Sequence, residues 1–181
     1  MINEVLSRSD GQPDAIELHN VSNQTIDLAG WYLSDDWGWD PTFVTGNYKR
    51  FLIPADASHV LAPGGYVVFD EDDFNPTPLA PAPNHFALNG AEGDDVWLMR
   101  ADVTGKLTHF GDHVSFGAQA NGESWGRWPN GGLADGEGDV YPMAVPPTLG
   151  SENTTLRIGP VVLSEVQYYP GIFHENFNAG T

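Results

Sequence analysis

Asp27-Leu28-Ala29-Gly30-Trp31-Tyr32-Leu33-Ser34-Asp35-Asp36 decides the fold class. Ala29-Gly30 is a turn signal, because glycine enters the left-handed backbone region without steric cost. Trp31-Tyr32-Leu33-Ser34 follows, with Trp31 and Leu33 alternating onto one face as in a half-buried strand. The same pattern runs outward in both directions. Pro63-Gly64-Gly65 precedes Tyr66, Asn89-Gly90 follows Phe86-Ala87-Leu88, and Thr104-Gly105 separates two apolar runs as a hairpin would.

No window keeps an i, i+3, i+4, i+7 apolar stripe for three turns, so helices are not expected. Strands are predicted near residues 2–7, 15–20, 25–27, 31–34, 50–53, 59–61, 66–69, 95–100, 108–114 and 124–127. Many short strands between Gly/Pro turns specify an all-β sandwich. The predicted core is Trp31, Leu33, Ile53, Leu61, Val67, Phe69, Val96, Leu98, Phe110, Val114 and Trp125. In the first strand Ile2 and Glu4 are expected on one face, Asn3 and Val5 on the other. Two stretches break the rhythm and are expected as surface loops: the aromatic insertion 35–48 and the Pro-rich 75–84. Residues 130–155 read as a meandering closure followed by a linker.

The chain has 181 residues, 40% of them hydrophobic and 18% charged, enough for one well-filled core. Gly (21) and Pro (14) suit a fold with many turns. Acids outnumber bases 25 to 7, for a net charge of −18. Such a surface repels nucleic-acid phosphates and anionic membranes. It suits cations, basic surfaces and neutral glycans, and equally a saline habitat. With no cysteine, disulfides, thiol catalysis and thiolate metal sites are excluded. No run approaches the ~18 apolar residues of a spanning helix.

The ordered segments Ile2-Asn3-Glu4-Val5, Ile16-Glu17-Leu18-His19-Asn20, Asp27–Asp36, Phe51-Leu52-Ile53-Pro54, Leu61-Ala62-Pro63-Gly64-Gly65-Tyr66, Gly93-Asp94-Asp95-Val96-Trp97-Leu98 and Ser124-Trp125-Gly126-Arg127-Trp128-Pro129-Asn130-Gly131 resemble a bacterial lamin-tail domain. Pro146-Pro147-Thr148-Leu149-Gly150-Ser151-Glu152-Asn153 resembles that family's end signal, with Leu149 where proline is commoner. The resemblance implies an immunoglobulin-like β-sandwich, exported, often repeated, often attached to a separate catalytic domain, and without established catalytic residues. Leu163-Ser164-Glu165-Val166 repeats the pattern of Ile2–Val5. The expected organisation is a lamin-tail-type module over 1–153, a linker over 154–160, and over 161–181 the first strand of a second copy. A lone strand carries unpaired backbone groups, so Val161–Tyr168 is expected to pair along a sheet edge of its own module or of a neighbour.

Glu4 and Glu17 are the sharpest polar signal, since each sits inside an apolar strand where an unpaired charge is costly. Two readings stay open. They bond to backbone amides of a neighbouring loop or pair with Arg8 or Arg127, or they share a calcium site with Asp35 and Asp36, calcium taking 6–8 oxygen ligands. Trp37, Trp39 and Tyr48 form a candidate glycan-stacking or protein-contact surface. Asp135-Gly136-Glu137-Gly138-Asp139 and Asp70-Glu71-Asp72-Asp73 read as solvated acidic turns, with weak cation binding as the alternative. His109 and His113 make a poor zinc pair in a strand. There is no G-x-S-x-G, P-loop or H-E-x-x-H. The sequence therefore predicts no enzyme and no required cofactor. It predicts a cell-surface or extracellular interaction or spacer module with a protein or glycan partner. A carbohydrate-binding module is the alternative, and a hydrolase with an acid pair ranks last.

Overall fold

The β-branched and aromatic runs settle into antiparallel strands, and a computed structural model describes residues 1–7, 10–36, 48–132, 139–161 and 163. The strands are β1 (Ile2–Leu6), β2 (Ala15–His19), β3 (Ile26–Asp27), β4 (Trp31–Ser34), β5 (Phe51–Leu52), β6 (Val60–Leu61), β7 (Tyr66–Asp70), β8 (Gly93–Ala101), β9 (Leu107–Gly117), β10 (Ser124–Arg127) and β11 (Val140–Pro142). A five-stranded sheet runs β11-β10-β1-β2-β7 and a four-stranded sheet runs β5-β4-β8-β9, with β3 and β6 as a separate pair. The first sheet supplies Ile2, Val5, Ile16, Leu18 and Phe69 to the core, and the second Leu33, Val96, Leu98, Val114 and Phe116. Two apolar faces closed on each other make an immunoglobulin-like sandwich. Gly30 takes the left-handed conformation its place before Trp31 calls for, with φ +80°. Among the described residues no helix is long and apolar enough to cross a membrane.

Strand β11 lies in the stretch read as a meandering closure. The acidic run Asp70–Asp73 is not merely solvated, because Glu71–Phe74 forms a one-turn helix, α1. Asp70 accepts from the Asp72 N–H at 3.0 Å, and Asp73 reaches back to the Asp70 N–H at 3.1 Å. This reciprocal cap, with acids at the positive end of the turn, gives the charges a structural use.

Two expectations about faces fail for one reason. Phe110, expected in the core, is 64% exposed. Leu98 pairs with Asp112 and Met99 with Phe110, so Gly111 is an extra residue in β9. That bulge shifts the two-residue alternation and turns Phe110 outward. A side chain at Gly111 would overlap the Trp31 ring, which fills the space. In β1 the register passes from Ile2↔Leu18 to Glu4↔Glu17, leaving Asn3 as the extra residue. Ile2 and Val5 therefore both reach the core, and Glu4 turns away from it. Trp31, Val67 and Trp125 pack against the core while only partly buried.

Candidate functional site

The bulge at Asn3 places Glu4 directly across from Glu17 on the outer face of the five-stranded sheet. Both residues are 0% exposed, because residues 146–153 lie over them. Glu4 accepts from the Thr148 N–H at 3.0 and 3.1 Å, from the Thr148 hydroxyl at 2.8 Å, and from the Ser124 hydroxyl. Glu17 accepts from Asn3 Nδ2 at 2.8 Å and from the Gly150 N–H at 2.5 Å. Burial pushes the Glu17 carboxyl up to about 7, against the pull of the Asn3 and Gly150 donors and with a further rise from Glu4.

Asparagines extend the network. Asn153 Nδ2 donates to the carbonyls of Asn3 and Arg127, both at 3.0 Å. Asn130 Oδ1 accepts from Asn3 Nδ2 at 3.0 Å and from the Asn153 N–H at 2.9 Å, while its Nδ2 donates to the Tyr66 hydroxyl at 2.8 Å. Arg127 forms a two-pronged pair with Asp112 of the opposite sheet at 2.8 and 3.0 Å. Asp112 also accepts from the Ile2 N–H at 2.7 Å. Buried polar groups connected in this way rigidify a fold, and each is costly to leave unmatched.

The four carboxylates proposed as calcium ligands are not brought together. Glu4 and Glu17 meet, but among the described residues no three His, Asp or Glu side chains converge on one point. Asp35 lies at the end of β4 in the other sheet, with an oxygen 3.7 Å from Arg50 Nε. Burial pushes its carboxyl up to about 6, with Arg50 opposing. The Asp36 N–H donates to the Ser34 hydroxyl at 3.0 Å. Tyr48 carries the Lys49 ammonium 5.8 Å from its ring centre. Trp37, Trp39, Arg8 and most of the 135–139 turn lie outside the described residues.

Sequence reasoning found the two glutamates and missed their partners Thr148 and Gly150, and with them Asn153, which bonds the Thr148 hydroxyl and the Asn3 and Arg127 carbonyls. Asparagines at both ends of the module, Asn3, Asn130 and Asn153, were the available signal, since a buried amide demands partners.

The family model described as Lamin Tail Domain matches residues 1–135. The match covers both sheets except β11, and ends before the segment that closes over the acid pair. That family is one of non-catalytic, immunoglobulin-like modules. No curated protein and no solved structure matches the chain.

Proposed function

We propose that this chain, which belongs to the lamin tail domain family, is a binding or spacer module of a larger exported bacterial protein, held outside the cell or at its surface. One observation carries the reading. The most chemically distinctive pair in the molecule, Glu4 and Glu17, is spent on fastening the chain's own closing segment. Neither carboxylate has exposed surface to offer a substrate or an attacking water. A glycosidase pair needs its carboxyl groups free to meet a sugar. The net charge of −18 further suits a partner that is a protein with a basic face or a neutral glycan.

The test combines binding and turnover. Glycan arrays and surface-protein pull-downs with the intact chain are expected to give a partner and no hydrolysis of any glycoside. Turnover abolished by Glu4→Gln or Glu17→Gln would overturn the reading. Loss of a glycan signal in the triple variant Trp37→Ala, Trp39→Ala, Tyr48→Ala would assign that contact to the aromatic insertion.

Arrays of such modules also account for the chain's last residues. Val161 and Leu163 are 88% and 89% exposed, so neither side chain packs on the module. In this reading the segment from Val161 pairs with a sheet edge of another copy. Removal of residues 160–181 is expected to leave the melting temperature unchanged and to abolish concentration-dependent association in sedimentation velocity. Association that survives the truncation would rule this role out.

A further inference from the structure

The five-stranded sheet has two edges, and the chain closes one of them itself. Beside β11, Leu156 forms an antiparallel bridge with Met143. The Ala144 N–H donates to the Thr155 carbonyl and the Arg157 N–H to the Pro142 carbonyl, both at 2.9 Å. At the other edge, β7 pairs with β2 at every residue from Tyr66 to Asp70 without a bulge. Among the described residues, no backbone hydrogen bond joins residues 66–69 to anything but β2. Alternate residues of an antiparallel strand turn their N–H and C=O away from the partner, so β7 presents a regular unpaired row.

The remaining edges are guarded, as exposed edges usually are. β3, β5 and β6 have two residues each. β9 is long, but its register leaves both Thr108 and Gly111 unmatched, and these bulges interrupt its free side. β7 carries no such device. Tyr66-Val67-Val68-Phe69 is β-branched and aromatic throughout, and Asp70, its one charge, is held in the α1 cap. Charge matters here because each copy carries −18, and copies approach most easily where charge is sparse. Residues 161–168, Val-Val-Leu-Ser-Glu-Val-Gln-Tyr, match this edge, with mostly strand-forming side chains and Glu165 as the single charge.

A copy cannot cover its own β7 with that segment. The four steps from Arg157 to Val161 span at most ~14 Å of extended chain. Strands lie ~4.8 Å apart, so the whole width of the sheet, about 29 Å, separates residues 155–157 from a strand added outside β7. We infer that β7 is the edge that receives residues 161–168 of a second copy as an added strand. This rests on the reading above that the segment pairs with another copy, and it names the surface used. The segment departs beside β11 and arrives at β7, so giving and receiving edges lie on opposite sides of one sheet and each copy can do both.

Amide hydrogen exchange and sedimentation velocity on the intact chain test this together. A hundredfold rise in concentration is expected to slow exchange in residues 66–70 and to leave residues 107–111 unchanged. The chain has no cysteine, so single ones can report the contact. Copies carrying Val68→Cys are mixed with copies carrying Val161→Cys, Val162→Cys or Leu163→Cys in turn, which allows for register, and oxidised. Facing residues of paired strands lie within disulfide reach, so one of these mixtures should give a linked pair as the main product. Thr108→Cys in place of Val68→Cys should give less than a tenth as much. If the cysteine variants do not fold, the exchange pattern of the unaltered chain decides alone. Association that needs residues 160–181 but protects another strand would overturn the β7 assignment and leave the segment's pairing standing. Association that survives their removal, or none at any concentration, would overturn both.

Discussion

Glu4 shows how much one side chain can organise. Its two oxygens receive the Thr148 N–H, the Thr148 hydroxyl and the Ser124 hydroxyl, the last fully buried and the Thr148 bonds partly so. Glu4→Ala would strand those donors, and a buried unmatched donor costs ~1–3 kcal/mol. The expected loss is about 3 kcal/mol by urea unfolding, with Glu4→Gln losing less because it keeps an acceptor. A loss indistinguishable from that of a surface alanine would mean the closing segment is held by something else. Sequence alone showed that Glu4 and Glu17 needed partners, since both are acids among apolar neighbours. It did not show which, because Thr148 and Gly150 lie more than a hundred residues away, and nothing in Ile2-Asn3-Glu4-Val5 marks Asn3 as an extra residue.

Among the elements, β9 and α1 are where pattern and structure part. Counting back in twos from Val114 puts Phe110 inside, and the bulge at Gly111 undoes the count. Bulges leave no compositional mark beyond a glycine in a strand, which is ambiguous with a bend. Gly111→Ala is expected to cost ~1–3 kcal/mol by forcing the Trp31 ring to shift, and near-ultraviolet circular dichroism should report the changed tryptophan environment. An unaltered spectrum and stability would show that the ring has room to move. In α1, the charge run concealed a cap because Asp70 through Asp73 look alike in composition and differ only in what they bond. Asp70→Ala is expected to cost ~1 kcal/mol, the usual value of a helix N-cap. Strands bordered by explicit turns, such as Trp31–Ser34 and Ser124–Arg127, fell where the sequence placed them.

For the molecule as a whole, one buried acid and two half-buried ones set the response to pH. Asp14 and Asp35 are raised to about 6 and Glu17 to about 7, in each case chiefly by burial. Each keeps its proton in the folded chain at a pH where the unfolded chain has released it. Their contribution to stability is therefore fullest near pH 4 and declines as pH rises through about 7. Asp56 and Asp102, held low by bonds from Ser58 and Thr104, act in the opposite sense, but both are fully exposed. The chain should melt at a higher temperature at pH 5 than at pH 8 by scanning calorimetry, and the reverse order would refute burial as the governing influence. The order of segments made the sandwich legible, since turn chemistry and two-residue alternation are local. The polar network was not, because it joins the first strand to residues near 150. That junction has a mechanical corollary. Thr148 grips Glu4 and Asn153 grips the Asn3 carbonyl, so a pull applied between residue 2 and residue 153 travels through a few bonds at one seam. The remaining strands stay off the load path, and a string of such units would stretch under tension without their interiors being pried open.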